Sequence, residues 1–164
     1  MARITIPEIK SPAGEIPESH RLMMLNKDMG KALSGLSQAI YEKSPLDKRV
    51  REAVRMRIAQ INQCMICLGF RFPELQALGV DEDFYTAVAD WRNSSIFSDK
   101  EKLAIEYSEL FSQNHLSIND AFFARLRQHF SDEEVFVLTG TIAGLIANGR
   151  MMQVLQVEQS CEIT

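Results

Sequence analysis

Histidine is scarce in this chain: His20, His115 and His129 are the only three in 164 residues, and none sits at ligand spacing from another or from a cysteine. Zinc needs four nitrogen or sulfur ligands, so no metal site is expected. Cysteine is as rare. An odd count of three (Cys64, Cys67 and Cys161) does not make a secreted disulfide framework, and a cytoplasmic protein is expected. Charge of either sign is modest: the net value of −4 leaves no broad footprint for nucleic acid, and no such partner is expected. Arg49, Arg51, Arg55 and Arg57 do cluster, and they read as a partly solvated helix face.

Long apolar runs are also missing. Met1 to Pro7 lacks the apolar segment of a signal peptide. The longest uncharged stretch, Val135 to Gly149, has 15 residues, short of the ~20 that cross a bilayer. It reads as a buried core helix, and no membrane partner is expected. No run alternates with period two and β-branched enrichment, so the chain is all-α. The length predicts one domain over residues 1–164.

Proline is concentrated at one end. Pro7, Pro12 and Pro17 lie within residues 1–19, which form an extended arm over the chain's own core or a neighbour's. The apolar period then predicts a helix over 20–43, and Ser44-Pro45 reads as the start of another over about 46–62. Pro73 should kink or stop the segment after it, and Gly79 close it. Further helices are expected near 81–92, 99–113, 118–129 and 132–157. Ser98-x-x-Glu101 and Ser131-x-x-Glu134 are capping boxes at two of their starts. The eight methionines, Trp91 and the phenylalanines read as core. Gly140-x-x-x-Gly144 marks close helix packing in a core or a subunit interface, and self-association is expected from it and from the arm.

What is present is the pair Cys64-Met65-Ile66-Cys67. On a helix opening near Cys64 both sulfurs share one face, as a reversible dithiol requires. A hairpin turning at Ile61-Asn62 would set Glu52 opposite Arg71. Cys64, Cys67 and Arg71 would then fall within an arc of roughly 60°. Arg71 would lower the pKa of Cys67, and Glu52 would orient the guanidinium and carry any acid–base step. Set against this, the cysteines also read as small buried hydrophobes, and Glu52 with Arg71 as a plain ion pair.

The stretch Glu52-x(11)-Cys64-x-x-Cys67 resembles the carboxymuconolactone decarboxylase superfamily, in particular its alkyl hydroperoxidase D-like branch. Met1-Ala2-Arg3-Ile4, Phe97 to Lys102, Phe130 to Glu134 and Asn148-Gly149-Arg150 are similar to further parts of that family. The resemblance implies an all-helical fold with a cysteine-bearing hairpin, homo-oligomers, and thiol-dependent reduction of a peroxide or disulfide. It makes Cys67 the attacking thiol, Cys64 the resolving one and Glu52 the start of a proton relay. No bound cofactor is implied, only an external thiol or lipoyl-type reductant protein. The family's histidine four residues after the second cysteine is Arg71 here. Two rivals share the fold: a non-catalytic oligomeric binding protein and a decarboxylase-like enzyme acting on a small organic molecule. The true decarboxylases of the superfamily lack the dithiol.

Overall fold

A computed structural model describes residues 2–12 and 14–157; Cys161 lies outside them. The chain is all-α in its bulk, as the missing alternation predicts. The arm is the exception: Lys10–Ser11 (β1) and Gly14–Glu15 (β2) pair antiparallel within it. Arg21 donates to the carbonyls of Pro7 and Ile16, and the Arg3 amide to Leu155 O, so the arm lies on its own chain.

The helix expected over 20–43 is two helices, α1 (Glu18–Met23) and α2 (Lys27–Tyr41). Asn26 interrupts them by accepting the Met29 amide at 2.9 Å, the side-chain competition that makes asparagine a cap. Gly30 permits the turn, because a Cβ there would sit 2.1 Å from the Met23 carbonyl oxygen. The next helix, α3 (Lys48–Asn62), is capped by Asp47, which accepts from Arg49 and Val50, and not by Ser44. After the cysteines come α4 (Met65–Gly69), a 3-10 turn over Pro73–Leu78 closed by Gly79 at φ 73°, and α5 (Glu82–Ala87). α6 (Asp99–Gln113), α7 (Asp120–Leu126) and α8 (Asp132–Leu155) follow, with both expected capping boxes formed on α6 and α8.

α3 is the axis, packed chiefly against α6 and α8. One apolar cluster joins its Val50, Val54 and Ile58 to Leu103, Leu138 and Ile142. A second, on its opposite side, joins Ala53 and Met56 to Phe84, Trp91 and Ile105. Ten of the fifteen α3 residues are buried. The arginine cluster is therefore no solvated face. Arg51 and Arg55 are buried, and Arg49 and Arg57 reach across to Glu101 on α6 at 2.8 Å and Glu109 at 2.5 Å. Each guanidinium reaches a carboxylate or main-chain carbonyl partner, which is what lets arginine enter a core.

α8 corrects another expectation. Its 24 residues, with a mean hydropathy of 1.4 in the best window, are long and apolar enough to cross a membrane by length and composition. Here it packs on α3, α2 and α6 along one face only, leaving Phe136 and Val154 exposed. Gly144 sits against Ile40 and Leu36 of α2, while Gly140 faces open space. The methionines are not uniformly core either: Met24, Met29 and Met65 are exposed.

Candidate functional site

The site forms where α3 ends. Gln63 takes the left-handed conformation at φ 53°, and the chain reverses into Cys64, whose amide still bonds to Ala59 O. Cys64 then caps α4: its sulfur accepts the Cys67 amide at 3.4 Å. Cys67 follows one turn later. Both cysteines are reduced, Cys64 buried at 2% exposure and Cys67 half-buried.

The helix expected to carry Arg71 in line with Cys67 is too short to do so. α4 stops at Gly69 and Phe70 is extended, so Arg71 leaves the cysteine face. Its guanidinium binds Glu82 at 2.6 and 2.9 Å and lies 4.0 Å over the Tyr85 ring. Glu52, fully buried, receives Arg55 instead, bidentate at 2.7 and 2.9 Å. Arg55 also donates to the carbonyls of Cys67 and Phe70, tying α4 to α3. The structure thus brings together Cys64, Cys67 and Glu52 with Arg55, and sets Arg71 apart. Arg55 has a sequence signal, since it stands three residues after Glu52 on one helix.

Electrostatically the two thiols are one unit. Hydrogen bonding from the Cys67 thiol, helped by the amides of Cys67 and Ile66 and by the Arg55 charge, outweighs burial and brings Cys64 from 9.0 down to about 6. Cys67 is pushed up, because it holds the proton donated to Cys64 and is itself desolvated. Between pH 6 and 9 the unfolded chain therefore holds a proton that the folded pair has released. Stability from this source rises with pH through that window, and it is lost as pH falls through about 6. Titrating thiolate absorbance should give a first midpoint near 6. Cys67→Ala should move the remaining thiol upward, and an unmoved midpoint would show that the inter-thiol bond is not the cause.

A cavity of about 290 Å³ is lined by both cysteines. Its walls are mostly carbon, from Ile58, Ile66, Phe70, Phe72 and Leu145, with Tyr41, Asn62 and Arg55 as the polar members besides the cysteines. Tyr41 and Asn62 have no periodic signal that marks them in the sequence. Among the described residues no cluster of His, Cys, Asp or Glu could hold a metal ion.

The model of the carboxymuconolactone decarboxylase family matches residues 27–109, which is 83 of the 164. YnjA of Escherichia coli (strain K12), an uncharacterized protein, is 40% identical over 101 residues, covering 62% of this chain and 56% of YnjA. The chain thus spans little more than half the length of that relative. Among solved structures, an uncharacterized peroxidase-related protein with an alkylhydroperoxidase AhpD core, from Ralstonia eutropha JMP134, superposes with a TM-score of 0.74 at 19% identity, covering 98% of this chain and 93% of that one. The debrominase Bmp8 superposes with a TM-score of 0.74 at 18% identity, over 90% of this chain and 79% of its own. These structural likenesses concern the fold, which is the alkyl hydroperoxidase D-like one that the cysteine segment led us to expect. With half of its length under the family model and that architecture throughout, this chain belongs to the carboxymuconolactone decarboxylase family.

Proposed function

We propose that this protein is a thiol-dependent oxidoreductase that reduces a peroxide, or another two-electron acceptor, through Cys64 and Cys67. The observation that carries the reading is a pair of reduced thiols one helical turn apart at the wall of an apolar cavity. In the cycle, the shared proton moves to Cys64 and the Cys67 thiolate attacks the outer oxygen of ROOH. The O–O bond breaks, leaving Cys67 as a sulfenic acid and releasing an alkoxide that takes a proton. Cys64 then attacks the Cys67 sulfur, expelling hydroxide that leaves as water, and a disulfide forms. An external dithiol, such as a lipoyl-type reductant protein, restores both thiols by exchange. Cys67 is assigned the attack because it is the more exposed of the two residues. Glu52 acts by holding Arg55, and Arg71 takes no part.

A second reading is supported by the apolar walls and by the likeness to Bmp8, which has also been solved with 2,3,4-tribromopyrrole. In it the same two thiols supply both electrons to a brominated aromatic compound, releasing bromide.

Equimolar cumene hydroperoxide should convert both cysteines to an intramolecular disulfide, read by mass spectrometry as the loss of two hydrogens from their shared peptide. Turnover should follow with dihydrolipoamide and vanish in Cys67→Ala. A protein that consumes neither the hydroperoxide nor a bromopyrrole would support the non-catalytic binding protein instead.

A further inference from the structure

The alkoxide released in that cycle is a strong base in an apolar cavity, so it needs a proton from a group beside it. Arg55 is unsuited, because a guanidinium does not give up its proton and this one is held by Glu52 and two main-chain carbonyls. Asn62 is an amide with no proton to transfer. Of the two cysteines in the lining, Cys67 is spent in the attack and Cys64 is only 2% exposed, which leaves one side chain with a proton to give, the phenol of Tyr41.

Tyr41 is held in that wall by contacts of its own. It ends α2, and its carbonyl accepts Arg51 at 2.9 Å. The same guanidinium lies 5.4 Å over its ring, and the ring of Phe72, another lining residue, stands 5.5 Å away. Arg51 is itself buried at 5% exposure. The phenol is thus delivered to the cavity by a helix end and a cation that do not depend on the cysteine segment.

We infer that the Tyr41 hydroxyl is the general acid of this site, giving its proton to the leaving oxygen as the O–O bond breaks; the inference rests on the peroxide reading above. The balance closes without another group. Attack of Cys67 yields its sulfenic acid and RO⁻, and Tyr41 converts RO⁻ to ROH and becomes a phenolate. The phenolate then takes the Cys64 proton. The Cys64 thiolate attacks Cys67 and expels hydroxide, which leaves as water with one proton from solvent. Burial, the leading cause, with the Glu52 and Cys67 charges beside it, pushes the phenol up to about 12, so it stays protonated where the thiols react.

The test is Tyr41→Phe in single-turnover oxidation by two peroxides that differ in leaving group. Cumene hydroperoxide releases an alkoxide that needs the proton, whereas perbenzoic acid releases a carboxylate that does not. The readout is the ratio of the two rates, which a change in thiol reactivity or packing does not move. Tyr41→Phe should lower that ratio about 100-fold, the range of general acid catalysis. Reaction with 4,4'-dithiodipyridine should be unchanged. An unchanged ratio, whether both rates fall together or neither does, overturns the role of Tyr41 alone. A wild-type protein inert to both peroxides overturns the peroxide reading and this inference with it.

Discussion

Arg55→Met should destabilise the protein by about 3–5 kcal/mol, the usual cost of breaking one buried ion pair. Glu52 has no exposed surface and both its oxygens are filled by Arg55, itself 4% exposed. Removing the cation leaves a carboxylate with neither water nor a counter-charge, between two apolar clusters. Removing both partners is a different matter. Glu52→Leu with Arg55→Met leaves no stranded charge and should recover most of the loss in urea denaturation. Thiol acidity should not recover, since Arg55 also ties the Cys67 and Phe70 carbonyls to α3 and its charge favours the Cys64 thiolate. A double variant no more stable than Arg55→Met would mean that the guanidinium acts through those carbonyls and not through Glu52.

That ion pair marks the border between what was legible in the sequence and what was not. Local signals served well. Ser98 and Ser131, each with a glutamate three residues on, open α6 and α8 where expected, because a capping box is satisfied within four residues. The cysteine segment led to the right fold by resemblance. Some misses were local, as where Asn26 splits the helix expected over 20–43, but those that bear on the site depended on partners distant in sequence. The arginines of α3 read as a partly solvated face, yet this helix is the central one, because Glu101 and Glu109 on α6 receive Arg49 and Arg57. Arg71 was placed by extending α4 past Gly69, and the extended backbone at Phe70 sent it to Glu82. Arg55 took the vacant role. Tyr41, on a helix two elements away, enters the cavity only through tertiary packing.

Phe84→Ala should also cost about 3–5 kcal/mol, but with the opposite consequence for the site. Phe84 is fully buried on α5, where its ring meets Phe97 edge-on at 5.1 Å and Tyr85 at 5.7 Å. The Arg49 guanidinium lies 4.9 Å over the same ring, and Arg49 also holds the Leu78 and Gly79 carbonyls and Glu101. Truncation removes the centre of the second cluster and leaves a cavity that these fixed neighbours cannot close. A fall in Tm of about 10 °C follows for a chain of this size. The thiols, however, take their acidity from each other, from two α4 amides and from Arg55, and not from Phe84, although Cys67 packs against the same cluster. Thiolate absorbance in Phe84→Ala should therefore titrate as in the wild type wherever the variant is folded. Stability and thiol acidity would then fall together in Arg55→Met and separately here. If Phe84→Ala also raised the Cys64 pKa, the seat of Arg55 would depend on the α5 side of α3, and the ion pair could not be the independent element that sets the site.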